Sequence, residues 1–210
     1  MRIKEADGIP LLCLFGKSVV LWLFNRLVMQ AIDGDQTIWY IAFIALSLIV
    51  CAAFILMAKN KSAYINSVVG QVSAYYVGAI QAVFAINILV FCICDFSIFS
   101  FIGNYATLIV EIVTAAMIVA YILGSKAWLP IKILGSPIVV FDLIASVLLL
   151  KARLAYENAN DYSLFDSFST AFDVCDYASL GLNVICLILA IVWMSSKNIS
   201  SENRQSINMI

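Results

Sequence analysis

Apolar residues in this chain come in blocks of about twenty, separated by short polar stretches. A helix needs ~20 largely apolar residues to cross a bilayer, and residues 10–31, 37–58, 66–94, 101–123 and 177–195 meet that length. Pro10 suits an early helical position. Asp33-Gly34-Asp35-Gln36 reads as a polar turn, and Lys59-Asn60-Lys61-Ser62 closes the second span. Residues 124–135, with Gly124, Pro130 and Gly135, read as a loop. Residues 136–150 are apolar but short for a crossing, which suits an interfacial, re-entrant or protein-buried segment. Residues 151–176 are polar and acidic, and a Ser/Asn-rich tail follows the last span. The expected architecture is a single all-α integral membrane domain. It has five transmembrane helices plus the short apolar segment 136–150 in the long loop before the last helix.

The third block differs from the others. Small residues recur every fourth position (Gly70, Ala74, Gly78, Ala82), and polar groups run beside them (Gln71, Ser73, Tyr76, Gln81, Asn87). Small residues let helix backbones approach closely. A helix that only faced lipid needs neither feature, so this one is expected to pack inside protein.

Composition sharpens the class. Of 210 residues 64% are hydrophobic and only 12% charged, with a mean hydropathy of +1.02. Soluble domains run to about 45–50% apolar and about 25% charged. The net charge of −1 gives no basic footprint for nucleic acid. The chain has no histidine, which removes His-based acid–base catalysis, haem ligation through His and His-containing zinc sites. The N-terminus carries charges of both signs and shows no convincing cleavage site after the first apolar run, so that run reads as a retained span.

Charge and span length disagree about topology. Counting 136–150 as a span gives six crossings with both ends inside and Lys/Arg mainly on the inner side. Leaving it out gives five, with the ends on opposite sides. Lys17 and Arg26 lie within the first span on roughly opposite faces, and each is near enough to an end to snorkel.

The intramembrane polar residues are the functional candidates. Glu111 and Asp142 are acids in apolar segments, costly unless paired, protonated or beside water. They point either to a proton or ion path or to carboxyls neutralised by neighbouring helices. Gln81 and Asn87 read as interhelical hydrogen-bonding groups. The six cysteines (13, 51, 92, 94, 175 and 186) lie mostly in apolar segments and read as small hydrophobes, and the Cys92/Cys94 spacing is weak for metal.

Two motifs carry a resemblance to a known family. Tyr76-Val77-Gly78-Ala79-Ile80, followed by Phe84, resembles the third-helix motif of one membrane subunit of respiratory complex I. That subunit is chain 6 of NADH:ubiquinone oxidoreductase in mitochondria and subunit J in bacteria. Asp176-Tyr177-Ala178-Ser179-Leu180 resembles the Glu-Leu-Ala-Ser-Leu opening of its fifth helix, with Ser163-Leu164-Phe165 upstream. The chain departs from the pattern before the second helix, where an Asn-Pro-Val-His-like segment is missing. It also departs at Gln81, at Asn87 and at the Asp for Glu at 176.

The resemblance implies a non-redox, membrane-arm subunit of the proton-pumping enzyme, with five spans and no catalytic centre of its own. It would sit in the mitochondrial inner membrane or a bacterial cytoplasmic membrane, among other membrane-arm subunits. The subunit would bind no cofactor; the complex uses NADH, FMN, iron–sulfur clusters and ubiquinone. The third helix would carry a π-bulge near Gly78. One extra residue there would bring Gln81 from about 140° to within about 40° of Tyr76. Interconversion of the bulge would shift Gln81, Phe84 and Asn87 against Tyr76, Val77 and Ala79, coupling quinone reduction to proton movement. Independently of the resemblance, Glu111, Asp142 and Asp176 are candidate buried acids. The rival from another class is the six-span membrane component of a small-solute transporter, with Glu111, Asp142 and Asn87 lining a central site. A structural assembly subunit is a third reading.

Overall fold

The computed structural model describes residues 8–31, 36–59, 68–98, 103–159 and 162–207, with six helices. They are α1 (Ile9–Ala31), α2 (Gln36–Lys59), α3 (Val68–Cys94), α4 (Asn104–Gly124), α5 (Leu129–Ala159) and α6 (Tyr162–Ile207). The turn expected at 33–36 and the polar residues 60–62 lie essentially outside the described residues, whose nearest helix ends are Ala31, Gln36 and Lys59.

Among the described residues five helices are long and apolar enough to cross a membrane, within α2 to α6. Their outer faces are stripes of exposed aliphatic residues, such as Ile41, Leu48, Ile49 and Leu56 on α2. Water would penalise such stripes, whereas lipid tails accept them. The chain is a multi-pass helical membrane protein.

The number of span-length helices is the expected five, but the set differs. Residues 136–150 lie within the 31-residue α5, whose apolar part runs Leu129–Ala152, and not in a loop. Pro130 and Gly135, which suggested a loop, are accommodated in α5. Pro130 falls in the first turn, where no N–H partner is needed. Gly135 seats α5 against the bundle: a Cβ there would come within 3.3 Å of Phe15 and 3.5 Å of Ile122. Pro137 lies inside the helix and removes one backbone bond, while the Ser136 hydroxyl donates to the Lys132 carbonyl at 2.9 Å. The polar residues 151–159 extend α5, and residues 162–176 open α6. The shorter apolar helix is Ile9–Phe24 at the start of α1.

Each helix packs on its successor, and α6 returns to α1, so the six close into a ring. The α2–α3 contact uses the row of small residues. A Cβ on Gly78 would lie 2.9 Å from the Ile55 side chain and 3.3 Å from the Cys51 carbonyl oxygen, so only glycine fits without a shift. Gln71 donates to the Ala58 carbonyl at 2.9 Å on the same seam. α3 is regular α-helix throughout, with no π turn between Tyr76 and Phe84. It ends at Asp95, a non-glycine residue at φ 52, whose N–H closes on the Phe91 carbonyl.

The buried apolar side chains collect at one end of the ring. Leu11 and Phe15 from the start of α1 meet Val50, Phe54 and Met57 from the end of α2. Val77, Tyr121, Ile122, Ile131, Cys186 and Trp193 complete this plug. Phe54 and Tyr121 stack with centroids 4.7 Å apart, and the Tyr121 hydroxyl contacts the Met57 sulfur. The short α4–α5 connection lies at the same end, pinned by Ser125, which bonds the Ile122 carbonyl and the Ala127 N–H.

The two ends differ in charge. Among residues whose side chains are described, Lys59, Lys126 and Lys132 adjoin the plug end. Among the same residues Asp95, Asp166, Asp173 and Asp176 adjoin the other end. By the positive-inside tendency the plug end would face the cytoplasmic side and the acidic end the outside.

Candidate functional site: a polar cavity inside the helix ring

Above the plug the interior turns polar. On α1, two residues beyond Phe15, the Lys17 ammonium donates to Ser47 Oγ of α2 at 2.8 Å and to Gln81 Oε1 of α3 at 2.7 Å. It also sits 4.4 Å from the centre of the Phe43 ring. An ammonium has three donors, and two hydrogen bonds plus an aromatic face occupy them. Ser47 is 0% and Gln81 6% exposed, so this is an internal anchor tying three helices. Lys17 therefore does not snorkel: inward acceptors and a ring face hold it better than a reach to the membrane surface. Arg26 is on α1, but its side chain lies outside the described residues.

A cavity of about 230 Å³ adjoins the Lys17 anchor. Leu14, Lys17 and Ser18 of α1 face Gln81 and Phe84 of α3, Glu111 and Thr114 of α4, and Asp142 and Ser146 of α5. Tyr76 braces this wall. Its hydroxyl lies 3.5 Å from Thr114 Oγ1, and since Thr114 donates to the Val110 carbonyl at 2.7 Å, Tyr76 is the donor. Glu111 is half-buried on the cavity wall and makes no ion pair with Lys17 among the described residues.

A second cavity, of about 360 Å³, lies towards the acidic end. Trp22, Trp39, Asp142, Asp176, Ser179 and Asn183 are on its walls, with Ser18 and Leu21. A narrow space of about 40 Å³ lies between Phe15, Ile122, Val139 and Asn183. Ser18 and Asp142 border all three spaces. Asp142 accepts a hydrogen bond from the Ser179 hydroxyl. Asn183 Nδ2 in turn donates to the Ser179 carbonyl at 3.0 Å and to Ser179 Oγ at 3.3 Å. Ser179 and Asn183 are each 3% exposed. Trp22 stands edge-on to Tyr177 at 6.5 Å, and Trp39 leans on Phe43 at 5.3 Å.

The residues singled out from the sequence thus divide. Gln81, Phe84, Glu111, Asp142 and Asp176 come together around the two cavities, and Tyr76 supports them. Asp142 and Asp176, expected as buried acids, are exposed residues: both border the larger cavity, and the Ser179 hydroxyl of α6 holds Asp142 there. Val77 and Gly78 belong to the α2–α3 contact, and Ala79 faces outward. Asn87 is 8% exposed and accepts from Ser97 at 3.2 Å in the chain after α3, away from the cavity walls. Sequence reasoning missed Ser18, Trp22, Trp39, Ser47, Ser179 and Asn183. One signal was present: Asp176, Ser179 and Asn183 recur at i, i+3 and i+7, a polar stripe on one helix face. All six cysteines are free thiols.

Comparison with protein-family models, with curated proteins and with solved structures gives no match to this chain.

Proposed function

We propose that this chain is the membrane-embedded component of a small-solute transporter, with its solute held in the polar cavity enclosed by six helices. One observation carries the reading: Lys17, Glu111, Asp142 and Asn183 reach the same interior from four helices, above an apolar plug. Polar groups in a bilayer interior are costly and mark solute or ion pathways, and transporter sites lie near mid-membrane between helices. A cavity sealed at one end and polar at the other corresponds to one side of an alternating-access cycle.

α5 supplies a hinge for that cycle. Pro137 breaks its hydrogen-bond ladder just before the wall residues Val139, Asp142 and Leu143, so bending there moves Asp142 while Gly135 stays seated on the plug.

The test is a single cysteine at position 18 in an otherwise cysteine-free chain. In oriented vesicles, Ser18→Cys is expected to react with a membrane-impermeant thiol reagent from the side opposite the termini. No reaction from either side overturns the proposal. Native electrophoresis is the second arm. Migration as an assembly without NADH-oxidising activity is expected. Co-migration with an NADH-oxidising assembly of the mitochondrial inner membrane would replace this reading by the membrane-arm one that Tyr76–Ile80 resembles.

A further inference from the structure

The chemistry of the larger cavity goes one step further and names a solute class, resting on the transporter reading above. We infer that it binds a protonated organic amine: an ammonium carrying at least one N–H and an apolar body. The decisive group is Asn183. Its Nδ2 faces the Ser179 backbone carbonyl, which can only accept, so the orientation of the amide is fixed and Oδ1 points elsewhere. The Ser179 hydroxyl proton is already committed to Asp142. Among the described residues no donor reaches Asn183 Oδ1, although the side chain is 3% exposed and borders the cavity. A buried carbonyl oxygen without a donor is costly, and the cavity is where a donor must come from; the charge and aromatic character of the other walls select an ammonium N–H for that role.

The remaining walls agree on the sign of charge and the kind of body. Asp142 and Asp176 put two carboxylates on the space, which opposes an anion. Trp22 and Trp39 add indole rings to the wall, the side chains best suited to cation–π contact. A volume of about 360 Å³ suits an organic molecule. A bare metal ion would need ligands that converge, and among the described residues no group of three or more Asp, Glu, Cys or His does so. Lys17 does not serve as an anion site in the neighbouring cavity, since Ser47, Gln81 and Phe43 occupy its ammonium. The acidic outer end concentrates cations in front of the mouth.

The test uses the full chain in detergent, titrated calorimetrically and by tryptophan fluorescence with 2-phenylethylammonium, neutral 2-phenylethanol and anionic phenylacetate. Saturable binding of the ammonium is expected, at least tenfold tighter than the alcohol, with no binding of the carboxylate. Asp142→Asn and the exposed Asp176→Asn are each expected to weaken it at least tenfold, with melting temperatures within a few degrees of the parent. Trp39→Leu is expected to reduce the quenching. Equal affinity for the alcohol, preference for phenylacetate, or unchanged affinity in both aspartate variants overturns the inference. Absence of binding by all three probes overturns it as well. Ser18→Cys reactivity then separates the two failures: a reactive cysteine leaves the transporter reading standing, and an unreactive one removes both.

Discussion

Lys17 shows how one residue changes meaning between sequence and structure. A lysine within reach of a helix end ordinarily extends to the membrane surface, yet here it joins α1, α2 and α3 through Ser47 and Gln81. Lys17→Met leaves Gln81 and Ser47 buried without a donor, so unfolding in detergent is expected to fall by about 1–3 kcal/mol, seen as a lower melting temperature. Gln81→Leu removes an acceptor from the ammonium and costs a similar amount. The double variant is expected to be clearly less destabilised than the two single losses added together, since it removes both partners. Strict additivity of the three melts would show that the contact is not energetically coupled. Nothing local in the sequence announces this pairing. The partners are 30 and 64 residues apart, and only the ring closure brings them together. The stripe Asp176–Ser179–Asn183 was open to helical spacing, but not the fact that it faces Asp142, 37 residues before Ser179.

At the scale of the helices, hydropathy was enough for α2, α3, α4 and the apolar part of α6, because a long apolar run has few alternatives to a spanning helix. α5 was hidden by its own punctuation. Gly124, Pro130, Gly135 and Pro137 normally break helices, and here a first-turn position, a tight seat on Phe15 and Ile122, and a surrounding bundle absorb the last three. Two outcomes follow at this scale. Gly78→Ala forces a Cβ to 2.9 Å from Ile55 and 3.3 Å from the Cys51 carbonyl, and overpacking of this kind costs about 1–3 kcal/mol. Thermal melts should show that loss, with partial recovery on adding Ile55→Ala. Pro137→Ala restores a backbone donor inside α5. It is expected to raise the melting temperature while slowing solute exchange across vesicles, a split that a purely structural role for the proline would not produce.

For the whole molecule, the charge count and the helix packing point to the same topology. Lys59, Lys126 and Lys132 adjoin the plug end, and so does the N-terminal end of α1, which packs on α6. A protease site inserted at 160–161 is expected to be cut from outside intact cells, while tags on both termini are cut only after permeabilisation. Cleavage at 160–161 from the same side as the termini would refute this arrangement. Of the site itself, the acids, Lys17, Tyr76, Gln81 and Phe84 were singled out beforehand, and their convergence was not. A cavity is a property of six helices at once, and its aromatic walls, Trp22 and Trp39, look in isolation like ordinary interfacial tryptophans.

The plug also determines where a membrane potential falls. Voltage drops across low-dielectric material, and the stretch from Phe15 and Ile122 down to Met57 and Trp193 is packed side chain. The cavity above it, lying towards the acidic end, would stay close to the potential on that side. A cation reaching Asp142 from outside therefore moves through almost none of the field, and its binding should be insensitive to voltage. Passage below Phe15 traverses nearly all of it, at about 2.3 kcal/mol per charge for every 100 mV. The packed layer around Phe54 and Tyr121 would act as the capacitor of this molecule.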